Sequence, residues 1–233
     1  MSSEKAKEFK VFEKRAGVTF SNTALLETAF THRSYVNEAR GALGEHNERL
    51  EFLGDAVLEI IVTDFLFRKY PQSPEGELTA FRAALVNATT LAGVAEGLHM
   101  NECLLLSKGE SKDMGRARQG LLANAFEAVV GALYIDQGYE AARVFITEHL
   151  LSQTDDIVQS GSWKDAKSSF QEVAQAKYSM TPRYEVVSAE GPDHDKLFVV
   201  ALYLNEKEVA RGSGPSKQTA EQKAAESALQ KNT

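Results

Sequence analysis

The stretch Asn47-Glu48-Arg49-Leu50-Glu51-Phe52-Leu53-Gly54-Asp55-Ala56-Val57-Leu58 carries the densest chemistry in the chain. On a helix, Glu48, Glu51 and Asp55 fall within an arc of roughly 60° on one face. Leu50, Leu53, Val57 and Ile61 form an apolar stripe on the other. Three carboxylates side by side repel one another, so a cation belongs among them. The alternative is a solvated acidic face. Phe52 argues against it, because an aromatic on the carboxylate side suggests a surface that meets a partner. A second group lies downstream, where Asn124 and Glu127 share a face of a helix made apolar by Leu122, Phe126, Val129, Val130 and Leu133. A carboxylate on so apolar a helix needs a partner, because burying it uncompensated is costly. Packed against the first helix, this one would complete an oxygen-only cage of four carboxylates and one amide. Oxygen-only ligation is the chemistry of Mg²⁺ or Mn²⁺, whereas zinc sites favour Cys and His.

Other routes to catalysis find little support. His32, His46, His99, His149 and His194 are too dispersed to form a metal motif by spacing. The chain has no Gly-rich phosphate loop of the Walker type and no Ser-His-Asp or Cys-His arrangement. A metal-activated water is therefore the better expectation than a covalent nucleophile.

The elements that must position these residues are mostly helical. From Phe9 to Leu150 apolar residues recur at three- and four-residue spacing. Pro71 to Gly76 ends the first acidic helix near Tyr70, because the residue before a proline disfavours helical geometry. A helix from about Glu77 to Leu98 is expected next. A polar loop with Lys108, Lys112, Arg116 and Arg118 then leads into a helix over about Gln119–Asp136. Residues 151–163 read as a flexible polar linker. Beyond it the pattern changes to a helix at about Asp165–Tyr178 and strands at Arg183–Glu190, Leu197–Leu204 and Glu208–Gly212. A last helix starts after Ser216 and turns Ala220, Ala224, Ala225 and Leu229 inward. The expected architecture is an all-α domain over 5–150 and an α+β domain of order α-β-β-β-α over 164–231.

Charge divides the same way. The net charge is −7 and 43% of residues are apolar, enough for real cores. From Trp163 onward ten basic side chains balance ten acidic ones, so the residues before it carry the whole net charge. An acidic half joined to a neutral half suggests two domains with different tasks. Cys103 is the single cysteine, so no intrachain disulfide forms and a reducing compartment is expected. The N-terminal residues lack the apolar run of a secretory signal, and no apolar segment approaches a membrane span. A soluble, cytoplasmic protein without a membrane partner is the expectation.

With the residues in view, Asn47–Leu58 resembles the signature of bacterial ribonuclease III. Thr31-His32-Arg33-Ser34-Tyr35 and Leu122-Ala123-Asn124-Ala125-Phe126-Glu127-Ala128 extend the likeness. The C-terminal part resembles a double-stranded-RNA-binding domain, through Lys167–Glu172, Gly191-Pro192-Asp193-His194 and Gly214–Glu221. The resemblance implies an all-α endonuclease domain followed by an RNA-binding domain, with double-stranded RNA as substrate and no small-molecule cofactor. It implies catalytic roles for Glu48, Asp55 and Glu127, and Mg²⁺, or Mn²⁺ in its place, on Glu51, Asn124, Glu127 and Asp55. Products would carry 5′-phosphate and 3′-hydroxyl ends with short 3′ overhangs, and ribosomal RNA precursors would be among the substrates. Phe52 matches a position that plugs a cavity of a second subunit, implying a homodimer. Gln171, Glu172 and His194 would read the minor groove, and Lys217 would contact phosphates. Position 124 departs from the family pattern, which most often has Asp. The alternative reading is a catalytically weakened RNA-binding regulator. Gln218 stands where a second Lys is common, which softens the expected salt dependence of binding.

Overall fold

The computed structural model describes residues 3–38, 45–112, 114–160, 163, 166–192 and 196–231. Two compact units divide the chain, Met1–Trp163 and Lys164–Thr233. The first is built from α1 (Ser3–Ala16), α2 (Thr23–Phe30), α3 (Arg33–Glu38), α4 (Glu48–Lys69), α5 (Glu75–Leu85), α6 (Ala88–Gly97), α7 (Met100–Cys103), α8 (Arg116–Gln137), α9 (Tyr139–His149) and α10 (Thr154–Ser160).

Helix α8 is the axle of this unit. Leu122, Phe126, Val129, Val130 and Leu133 are all buried, and so are Ala123, Ala125, Ala128 and Ala132 between them. The large residues fill the core while the alanines let neighbours close in, and α2, α4, α6, α7 and α9 all pack on it. The closest approach is with α4, at two glycines. A Cβ on Gly54 would run into the backbone carbonyl of Glu127, and one on Gly131 into that of Leu50. The helix pair that carries the acidic residues therefore crosses backbone to backbone.

Three expectations change. The single helix over about Glu77–Leu98 is two, broken at Val86–Asn87 and bent by 45°. Asn87 has an extended backbone, and its side-chain oxygen accepts from the Thr90 N–H at 3.0 Å. Its amide donates to the carbonyls of Ala83 and Ala84, so one residue closes α5 and opens α6. Helix α8 begins at Arg116, which places Arg116 and Arg118 on its first turn rather than in a loop. The segment 151–163, expected as a flexible linker, is folded over much of its length onto the first unit. Leu151 and Thr154 are buried, and Ile157 and Val158 of α10 pack on the core. The Trp163 ring meets Phe81 edge-on at 4.6 Å, and Lys69 Nζ lies 2.6 Å from Asp155. Ser152, Gln153, Asp155, Asp156, Gln159 and Ser160 are exposed while Leu151, Ile157 and Val158 turn to the core, so polar composition alone is a poor guide to this segment.

The second unit follows the expected order: α11 (Ala166–Tyr178), β1 (Arg183–Glu190), β2 (Leu197–Leu204), β3 (Lys207–Gly214) and α12 (Lys217–Lys231). The strands form one antiparallel sheet in sequence order, with Tyr184 opposite Leu202 and Leu202 opposite Ala210. Phe170 and Ala174 of α11 share a core with Leu202, Leu204, Ala224, Ala225 and Ala228. Gly212 lets β3 lie against the α12 backbone, where any Cβ would strike Ala220 and Ala224. Ser216 caps α12, its hydroxyl oxygen accepting from the Thr219 N–H at 3.1 Å. Among the described residues no single helix is long and apolar enough to cross a membrane.

Candidate active site and RNA-binding surface

The glycine crossing sets the distance between the acidic faces of α4 and α8. Glu51 and Glu127 are half-buried at the seam, while Glu48, Asp55 and Asn124 are exposed at its rim. Burial raises the pKa of Glu51, the Glu48 and Asp55 charges add to the rise, and a hydrogen bond with Asn124 opposes it. Burial, then the charges of Asp55 and Glu51, push the Glu127 carboxyl from 4.5 up to about 7. These mutual effects show that the five residues singled out from sequence come together in the fold. The Asn124 side chain hydrogen-bonds with Glu51, and an amide also carries an oxygen able to ligate a hard cation.

The donor set fits a hard divalent cation. Every group is an oxygen ligand, and two half-buried carboxylates facing each other call for a proton or a cation between them. The cluster is open rather than closed: among the described residues no three His, Cys, Asp or Glu side chains converge as a finished metal site would.

A buried polar network sets the start of α4. Thr31 pairs with Leu105 in a short parallel bridge, and its carbonyl accepts from the Asn47 N–H at 2.8 Å. Asn47 in turn donates from its side chain to the Ala29 carbonyl, and its own carbonyl receives the Glu51 N–H. Sequence reasoning quoted the Thr31–Tyr35 motif without seeing that it anchors this turn. It also missed Gly54 and Gly131, although glycines inside two otherwise strong helices are a signal of close backbone approach.

Phe52 is 82% exposed. It lines a cavity of about 550 Å³ together with Leu25, Leu53 and Ile135, and with Glu48 and Arg49 at the polar side. An exposed aromatic at the edge of a partly apolar hollow suits a self-complementary contact.

In the second unit Gln171 and Glu172 are exposed on α11, where with Ser168, Gln175 and Ala176 they line an open depression. Lys217 is exposed on the first turn of α12. Lys167 Nζ lies 2.6 Å from Glu221, tying the first turns of α11 and α12 together. His194 lies outside the described residues.

Comparison with known proteins decides the family. Residues 22–154 match the model described as ribonuclease-III-like, and residues 166–232 match the double-stranded RNA binding motif. The chain belongs to the ribonuclease III family. It is 45% identical to Ribonuclease 3 of Bdellovibrio bacteriovorus over 95% of this chain and 94% of that protein. With Ribonuclease 3 of Bacillus cereus it shares 47% identity over 96% and 91% of the two chains. Among solved structures, the nuclease domain of ribonuclease III from Campylobacter jejuni matches with a TM-score of 0.57 at 34% identity. That match covers 62% of this chain and 96% of the Campylobacter domain. The likeness spans nearly the full length of its curated relatives, so the chain is an endoribonuclease whose helical catalytic domain is followed by a double-stranded-RNA-binding domain.

Proposed function

We propose that this chain is a Mg²⁺-dependent hydrolase of double-stranded RNA that leaves 5′-phosphate and 3′-hydroxyl ends with short 3′ overhangs. Ribosomal RNA precursors and other structured transcripts are its substrates. The reading rests on one observation, the gathering of the half-buried Glu51 and Glu127 with Asp55, Glu48 and Asn124 where α4 and α8 cross.

Glu51, Asn124, Glu127 and Asp55 would hold Mg²⁺, with Mn²⁺ able to substitute. Bound there, the ion supplies an activated water and neutralises charge developing on the phosphate. The chain's own residues do the rest. The half-buried Glu51 and Glu127 keep the centre of the site poor in water. Asp55 and Glu48, at the solvent side, take the proton released when a water oxygen bonds to phosphorus. The bond from phosphorus to the 3′ oxygen breaks, and that oxygen takes up one proton, handed on from the protonated carboxyl or from solvent, to leave as the 3′-hydroxyl, so water is the only reactant consumed. No covalent enzyme intermediate forms. The cytoplasm suits this chemistry and the single buried Cys103.

A second subunit is part of the proposal. The Campylobacter jejuni nuclease domain is described as having a region involved in dimer formation. Here the exposed Phe52 and the adjacent hollow fit a two-fold pairing in which each Phe52 enters the partner's cavity. Two acid clusters then face the two strands of a duplex.

The rival is a regulator that binds RNA with weakened catalysis, and Asn124 is its support. An amide oxygen at Asn124 can still ligate Mg²⁺, at the loss of one negative charge, and this favours retained ligation. Cleavage of long duplex RNA, measured against Mg²⁺ concentration with EDTA controls, separates the two readings. The native chain cleaves and Asn124→Asp reaches half-maximal rate at lower Mg²⁺. No cleavage by the native chain at high Mg²⁺, with Asn124→Asp active, establishes the regulator instead.

A further inference from the structure

Arg33 is the first residue of α3, and the backbone on both sides of it is held by hydrogen bonds. On one side, the His32 N–H donates to the Leu105 carbonyl at 3.0 Å and the Leu105 N–H to the Phe30 carbonyl at 2.8 Å. Thr31 and Asn47, only 6% and 3% exposed, join this segment to the first turn of α4. On the other side, the Ser34 hydroxyl oxygen accepts from the Ser107 N–H at 3.1 Å. The His32 ring lies 2.9 Å from that hydroxyl and 3.0 Å from the Glu110 carboxylate. Buried polar groups are retained at a cost unless their hydrogen bonds serve the fold or the site. Here they fix the root of one long basic side chain at the edge of the acid cluster.

The Arg33 side chain itself is hardly engaged. The side chain is 65% exposed, and among the described residues its one ion pair is Nη1 with Glu48 Oε1 at 3.4 Å. A pair so long and so exposed to water holds its partners weakly, too weakly to be the reason for the anchoring around it. The charged neighbours that set the carboxyls of Glu51 and Glu127 are all acidic. An RNA backbone approaching this cluster meets repulsion, and a cation at its rim offsets it. A guanidinium carries five N–H donors in a planar fork suited to phosphate, and Glu48 occupies one edge at most.

We propose that Arg33 is a phosphate-contacting residue of the nuclease centre, its guanidinium binding a backbone phosphate beside the scissile one while Glu48 steadies it from the protein side. This rests on the nuclease reading above. Sequence carries the residue inside the Thr31–Tyr35 motif, but its role follows from the placement of Glu48 and the anchoring of its neighbours.

The test uses the full chain, Mg²⁺ and a defined RNA duplex, with cleavage rates at subsaturating RNA measured over a series of salt concentrations. Arg33→Ala lowers the rate by about 10- to 100-fold and makes the salt dependence shallower by about one charge per site. Arg33→Lys keeps the salt slope while recovering part of the rate, since it preserves charge but not the fork. In a Glu48→Gln background, where the salt dependence is read from duplex RNA binding rather than cleavage, Arg33→Ala still flattens the slope. If Arg33→Ala leaves the slope unchanged, or its whole effect vanishes in the Glu48→Gln background, Arg33 merely positions Glu48 and the proposal is overturned. A native chain that does not cleave at all overturns the nuclease reading instead, so the two failures are distinct. Thermal melting of Arg33→Lys within a few degrees of the native chain excludes loss of fold as the cause.

Discussion

Glu127 concentrates the electrostatic tension of the site in one side chain. Its carboxyl, raised from 4.5 to about 7 by burial and by Asp55 and Glu51, holds its proton in the folded chain at pH values where the unfolded chain has released it. The folded state therefore binds more protons between those two values, and stability without metal falls as pH rises through that window and stays low above it. Glu127→Gln replaces the acid by a neutral group of the same shape and removes that fall. In EDTA the variant melts close to the native chain at pH 5 and above it at pH 8. The gain at pH 8 is about 1–2 kcal/mol, the full linkage value being reduced by water around a half-buried group. The same substitution abolishes cleavage in Mg²⁺ while leaving duplex RNA binding intact. Equal melting at pH 8, or retained cleavage, would remove Glu127 from the centre of the cluster. At this scale the sequence was most legible: carboxylates at three- and four-residue spacing on helices announce themselves. Arg33 was not, because its significance depends on Glu48, which the fold and not the spacing brings beside it.

At the scale of elements, the site depends on how closely two helices cross. Their existence was readable from apolar periodicity and from Pro71, and α4 ends at Lys69, one residue before Tyr70. Their contact was only a conditional expectation, since nothing in either helix alone says which neighbour it packs on. Gly54 and Gly131 supply that information once the backbones are seen to touch. The break at Asn87 escaped notice for a related reason: asparagine is tolerated in helices, and its capping role exists only when its side chain reaches Thr90, Ala83 and Ala84. Gly131→Ala forces α4 and α8 apart at Leu50. The expected cost is about 1–3 kcal/mol in stability. Cleavage falls by more than that loss alone predicts, because a displacement of about 1 Å at the seam misplaces Glu51 relative to Glu127. Gly93→Ala is the matched control. Gly93 lies in α6 with open space where its Cβ would go, so the change is neutral or slightly stabilising by chemical denaturation. If both substitutions behave alike, the glycine crossing does not hold the site.

At the scale of the whole molecule, sequence indicated two units, their order and the start of the second at 164, but it ended the first at 150, short of Trp163. Residues 151–160 looked like a linker because most of their side chains are polar, yet Leu151, Thr154, Ile157 and Val158 suffice to fold them onto the first unit. The feature that composition could not interpret was Phe52, an apolar residue on an acidic face. An 82% exposed phenylalanine costs solubility unless something covers it, and the hollow beside it has the apolar lining to receive its equivalent from a second copy. Phe52→Asp places a charge where the partner's apolar wall would be. The variant sediments as a monomer, and its isolated stability changes little because the side chain is exposed within one subunit. Its cleavage of a duplex then shifts from paired cuts to single-strand nicks, since one acid cluster reaches one strand at a time. A variant that remains a dimer and still makes paired cuts would place the interface elsewhere on the nuclease unit, and the arrangement of two clusters across a duplex would have to be built on another face.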